Sequence, residues 1–170
     1  AFSSGTAALH GACHAAGIGA GDEVITTPMT FAASANCVLY MGGTPVFADI
    51  NLDTFNIDPN EIAKKITDKT RAIIPVDYTG QAVDMDSIKD SIKGKDIVII
   101  QDAAHSLGTK YKGTKVGNLA DMTMFSFHPV KTITTGEGGI ITTNNKEYYK
   151  KLINFRSHCI TRDTDQHINK

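Results

Sequence analysis

The sequence predicts an α/β fold in three layers (α/β/α), with a mostly parallel sheet between two layers of helices. Three observations predict it. Short apolar runs such as Ile97-Val98-Ile99-Ile100 are continuous rather than alternating, as in strands buried on both faces. Segments with helical spacing separate those runs from end to end. Gly and Pro punctuate the joins.

Each element has a local reason. Residues 7–16 read as a helix, with Thr6 or Ser4 near its start and Gly17 at its end. Residues 23–27 read as a strand stopped by Pro28. Residues 32–41 form a small-residue helix closed by Gly42-Gly43, and 44–50 a strand. Asp58 opens a helix that places Ile62 and Ile66 on one face. Residues 71–76 are a buried strand, 84–92 a short helix and 96–101 a second buried strand. Residues 122–127 and 139–143 are strands on either side of a turn containing Lys131. Residues 145–155 are an amphipathic helix.

At 170 residues the chain is long enough for one domain with a real core. Seventeen basic and eighteen acidic residues are mixed along it, for a net charge of −1, which argues against a nucleic-acid or membrane-surface protein. No apolar run approaches a bilayer span, and no secretory signal is visible. Cys13, Cys37 and Cys159 have no zinc spacing, so no metal is expected, and reduced thiols in the cytoplasm are the plain reading. Ala1-Phe2 reads as the tail of a strand, and the polar end lacks a stop signal. The chain is therefore expected to be a piece of a longer polypeptide, with a domain over 1–162 and a polar tail over 163–170.

Four places carry chemistry. Asp102 closes an apolar strand, where ligands sit in open α/β sheets. A carboxylate there can keep a pyridine nitrogen protonated, or it can simply cap a strand end. Lys131 follows Phe125-Ser126-Phe127 in a turn rich in Gly, Thr and Pro. It can bond covalently to a cofactor aldehyde and later move protons, or it can be a solvated turn lysine. Ser3-Ser4-Gly5-Thr6-Ala7 opens a helix, whose amides and dipole favour a phosphate, although an ordinary cap reads the same way. Ser126 offers a second hydroxyl to that phosphate. Phe31 lies between a strand and a helix and can stack on a flat ring or fill the core. His105, three residues past Asp102, can flank the ring or its hydroxyl, or be a loop residue. Taken together in this order, these are the parts of a pyridoxal 5'-phosphate (PLP) site.

The stretches Ser3–Leu9, Pro28–Ser34, Gln101–Gly108, Phe125–Lys131 and Thr135–Gly139 resemble the DegT/DnrJ/EryC1/StrS family of sugar aminotransferases. The match runs from Ser3 to about Arg162. The resemblance implies the large domain of a type I, aspartate-aminotransferase-like PLP enzyme. It implies that Lys131 holds the cofactor covalently, that Asp102 pairs with the ring nitrogen and that Phe31 stacks on the ring. It places Thr6, Ala7 and Ser126 at the phosphate and His105 near the ring hydroxyl. It implies a homodimer with shared active sites, with an N-terminal segment and a small C-terminal domain lying outside this sequence.

Residues 128–137 and 156–162 are similar to the family branch acting in pseudaminic acid biosynthesis. That branch aminates a UDP-linked 4-keto-6-deoxy-N-acetylhexosamine with L-glutamate as donor. The chain departs from the usual family pattern at Gln101, where Glu is common, and at Cys159, where Gly is usual. Three other readings stay open: another UDP- or dTDP-keto sugar as substrate, a sugar dehydratase of the same family, or a non-catalytic nucleotide-sugar binding domain. Lys131 speaks against the dehydratase, which replaces that lysine. A binding domain would not need Lys131 and Asp102 together.

Overall fold

The computed structural model describes residues 1–160. Strands β1 (Glu23–Thr26), β2 (Thr44–Phe47), β3 (Thr70–Ile74), β4 (Val98–Asp102), β7 (Met122–Ser126) and β8 (Gly139–Thr142) form one sheet in the order β2-β1-β3-β4-β7-β8. Neighbours are parallel except β7 and β8, which are antiparallel across the Lys131 turn. β5 (Lys110–Tyr111) and β6 (Thr114–Lys115) make a separate small hairpin. The helices are α1 (Gly5–Ala15), α2 (Ala33–Tyr40), α3 (Pro59–Lys65), α4 (Met85–Ser91) and α5 (Lys146–Arg156).

The predicted three layers are observed. Alternate residues of each buried strand point to opposite faces. Val24, Ala72, Ile74 and Ile100 pack with Leu9 and Ala12 of α1, Val38 of α2 and Leu152 of α5. Ile25, Ile73 and Ile99 pack with Ile62 of α3 and with Met85 and Ile88 of α4. A continuous apolar run such as Ile97–Ile100 is therefore what a strand between two helical layers requires. Among the described residues, no helix is long and apolar enough to cross a membrane.

Several helix starts are set by side-chain caps. Ser4, Asp58, Asp84 and Asn145 each accept from an amide in the first turn of the helix that follows. Strand ends differ from expectation for identifiable reasons. The strand expected over 44–50 stops at Phe47, and Ile50 makes only an isolated bridge to Ile57. The strand expected over 71–76 is continuous to Ile74, where Pro75 has no N–H to give the ladder, and pairing with β4 resumes as a bridge between Val76 and Asp102. Ile66 falls just outside α3, in extended backbone, although it still packs on the apolar cluster below that helix.

The β5–β6 hairpin is absent from the sequence reading. Its turn is Lys112-Gly113, with φ of 46° and 85°, so both central residues are left-handed. Two-residue strands give too short a pattern to show periodicity. The expected domain end at 161–162 and the expected polar tail over 163–170 lie outside the described residues.

Candidate active site

α1, α2, β4 and β7 converge on one cavity of about 430 Å³. Thr6, Phe31, Asp102, Ser126 and Lys131 all line it. A second cavity of about 260 Å³ shares Phe31, Asp102, Ala104 and Lys131 with the first and adds Thr30, Tyr78 and His105. Residues up to 125 positions apart in the sequence thus meet at the carboxyl ends of adjacent parallel strands.

Asp102 ends β4 and is 5% exposed. Its carboxylate accepts from Ser34 Oγ at 2.7 Å and from the Ala104 amide at 3.2 Å. Burial pushes its pKa above the usual carboxylate range, against the lowering effect of those two donors. The Ser34 hydroxyl is in turn 2.7 Å from Thr30 Oγ1.

Lys131 sits in a turn that closes on itself. The Phe127 amide donates to Gly138 O at 2.9 Å, the Lys131 amide to His128 O at 2.9 Å, and the Thr134 hydroxyl to Phe127 O at 2.8 Å. Lys131 Nζ lies 2.6 Å from His105 Nε2. Burial and the neighbouring Lys131 hold the His105 pKa down, which favours the neutral ring, whose unprotonated nitrogen can accept from Lys131.

The start of α1 forms a cradle. Ser4 caps the helix by accepting from the Ala7 amide at 3.1 Å. Gly5 and Thr6 line the cavity, and the first amides of a helix have no partner within it. A Cβ at Gly5 would lie 3.0 Å from Ser126 Cβ and 3.2 Å from Met124 Sδ, so a larger residue would press the helix start against β7. A Cβ at Gly139 would overlap the Ser4 carbonyl, and Gly139 exchanges two backbone bonds with Phe2. The two small-residue motifs, 3–9 and 135–139, are thus the two halves of one contact.

Phe31 is 76% exposed on the cavity wall, which removes the core-phenylalanine alternative. His105 lines the second cavity beside Lys131. Ala7 does not line either cavity, and its amide is already taken by Ser4. The sequence reading missed Ser34 and a second buried carboxylate, Asp77. Asp77 accepts from Gln101 Nε2 at 3.0 Å, the Ser106 hydroxyl and the Val83 amide at 3.0 Å. It ties the segment after β3 to the one carrying His105. Gln101 in place of an acid suits this contact, since its amide donates where a second carboxylate would repel. No local pattern marks Ser34 or Asp77 as part of the site, because Asp102 is 68 positions from Ser34 and Gln101 and Ser106 are 24 and 29 from Asp77.

These residues fit PLP on three observations. A buried carboxylate, held by Ser34 and the Ala104 amide, lines the cavity and can face a ring nitrogen. A helix start held open by Gly5 faces it with a hydroxyl from Ser126 nearby. An exposed aromatic flanks it.

Comparison with known proteins agrees with this arrangement. The model of the DegT/DnrJ/EryC1/StrS aminotransferase family matches residues 1–170. GDP-perosamine synthase of Escherichia coli O157:H7 is 44% identical over 154 residues, covering 91% of this chain and 42% of that protein. Spr1654 of Streptococcus pneumoniae, a sugar aminotransferase by description, superposes in its PMP form with a TM-score of 0.91. It is 38% identical, over 96% of this chain and 46% of that one. Helicobacter pylori PseC, described as an aminotransferase of pseudoaminic acid biosynthesis, superposes with a TM-score of 0.88. It is 40% identical, over 96% of this chain and 44% of that one. The chain spans about two fifths of the length of the curated relatives it matches.

Proposed function

The chain belongs to the DegT/DnrJ/EryC1/StrS aminotransferase family, and we propose that it carries the cofactor site of a PLP-dependent transaminase acting on nucleotide sugars. The substrate we propose is a UDP-4-keto-6-deoxy-N-acetylhexosamine, with L-glutamate as donor, in pseudaminic acid or related surface-polysaccharide synthesis. The observation that carries this reading is the meeting of Lys131, Asp102, Phe31 and the start of α1 around one cavity.

When bound, PLP supplies an aldehyde and an electron-withdrawing ring that stabilises negative charge on the reacting carbon. This chain's residues would do the rest. Asp102 holds positive charge at the ring nitrogen, which strengthens that withdrawal. Lys131 would hold the cofactor through its Nζ, and that amine is the group placed to take up and return a proton beside it. His105 Nε2, 2.6 Å from that nitrogen, accepts from it and fixes where it points. Phe31 would stack on the ring. Thr6 and Ser126, with the backbone at Gly5, would hold the phosphate at the helix start.

We propose a homodimer with shared sites. Val130 at the cavity is 76% exposed, and Ile133 in the same turn as Lys131 is 55% exposed, an apolar rim suited to cover by a second subunit. We also propose that these residues form the large domain of a longer polypeptide. Curated relatives are more than twice as long, and the remainder of the sugar and donor sites would come from their additional length.

The likeness to PseC supports the pseudaminic acid reading. The 44% identity to GDP-perosamine synthase supports a second one, the same transfer to another nucleotide-linked keto sugar. An amino-transfer assay of the natural polypeptide against UDP-, dTDP- and GDP-linked keto sugars separates them by which nucleotide is turned over. Failure with every keto sugar, with wild-type cofactor binding intact, would contradict both.

A further inference from the structure

We propose that Ser34 is a positioning residue for Asp102, the inner link of a Thr30–Ser34–Asp102 hydroxyl relay that keeps the carboxylate ionised toward the ring nitrogen. This rests on the reading of Asp102 given above. Ser34 is fully buried in the first turn of α2, and its Oγ lies 2.7 Å from Asp102 Oδ2. An ionised carboxylate only accepts, so the single Ser34 proton must go to Asp102. The 2.7 Å contact between Thr30 Oγ1 and Ser34 Oγ then has only one direction, with Thr30 donating. Thr30 lines the second cavity, so the relay runs from there to the buried acid.

The geometry gives Ser34 more than a packing role. Among the described residues, Asp102 has one other donor, the Ala104 amide at 3.2 Å. The Ser34 bond is the shorter of the two, and charge-assisted bonds to a buried carboxylate are the stronger kind. Without it, a proton shared between Asp102 and a ring nitrogen would move toward the acid, leaving both neutral. Cys37 Sγ donates to Ser34 O at 3.4 Å, and Cys37 is itself buried against Cys13, which holds the Ser34 backbone in place. The segment that carries the stacking residue Phe31 is therefore also the segment that sets the charge of Asp102.

The test reconstitutes the natural polypeptide and its Ser34→Ala, Ser34→Thr and Thr30→Val variants with PLP labelled with nitrogen-15 in the ring. The wild type should give a protonated ring-nitrogen signal. Ser34→Ala should move it toward neutral pyridine and weaken PLP binding about tenfold, the equivalent of one charge-assisted hydrogen bond. Ser34→Thr, which keeps the hydroxyl, should restore the wild-type signal. Thr30→Val should shift the signal in the same direction by less, and it serves if Ser34→Ala does not fold. A neutral ring nitrogen in the wild type would overturn the reading of Asp102 and the relay with it. A protonated wild type with an unmoved signal in Ser34→Ala or Thr30→Val would overturn the relay alone, and stability lost without that shift would show only packing.

Discussion

Asp102 costs the cofactor-free protein stability, and that cost has a definite pH dependence. Burial raises the pKa of Asp102 above that of the unfolded chain, which lies near about 3.9. Below that value both states are protonated and the native state bears no penalty. As pH rises, the unfolded chain releases its proton first, so stability falls until the native acid also ionises. Asp102→Asn removes the charge while keeping the shape. In the cofactor-free protein, thermal melts should show the variant gaining on the wild type as pH rises from about 4 toward neutrality. In the loaded enzyme the same change should slow turnover by at least about two orders of magnitude, roughly 2.7 kcal/mol at the barrier. A loss under threefold would show that the acid is not at the ring nitrogen. Asp102 and Lys131 could be picked out in the sequence because each stands in an unusual context, an acid ending an apolar run and a lysine after an aromatic strand. Ser34 and Asp77 could not, because what makes them matter is a partner brought near only by the sheet.

At the scale of elements, the start of α1 is held by a glycine far away in sequence. Gly139 opens β8 directly against the Ser4 carbonyl and the Gly5 amide, with no room for a Cβ. Gly139→Ala must displace either the cap of α1 or the end of the Lys131 turn. It should destabilise the protein by about 1–3 kcal/mol and weaken PLP binding, read by cofactor titration. Unchanged stability and affinity would mean that the cradle tolerates movement at this contact. Element types were readable because strand and helix patterns alternate strongly. Strand ends were not, since ladder partners decide them: Pro75 interrupts the β3 ladder, which resumes as a bridge at Val76, and past Phe47 the chain keeps one bond to β1, from the Ala48 amide to Thr26 O, and a bridge at Ile50. The Lys112-Gly113 hairpin left only its turn as a signal.

At the scale of the molecule, β4 lies inside the sheet between β3 and β7, with Ile99 and Ile100 packed into opposite helical layers. Ile100→Ala should therefore cost about 2–5 kcal/mol in denaturant unfolding. It should shift the transition without splitting it, since both layers share the same strands. The strand order itself could not be read from the sequence, because parallel neighbours joined by helices need not be consecutive. β1 lies between β2 and β3 for no reason that a local pattern records. That order nevertheless makes the site, since it sets β4 beside β7 and so Asp102 near Lys131. The central claim is that Lys131 holds the cofactor. It is tested most directly by loading the natural polypeptide with PLP, reducing it with borohydride and mapping the modified lysine by peptide mass spectrometry. Visible absorbance should be lost on reduction, and a single pyridoxyl-modified residue, Lys131, should be recovered. Modification of a different lysine, or none with full turnover retained in Lys131→Ala, would contradict it.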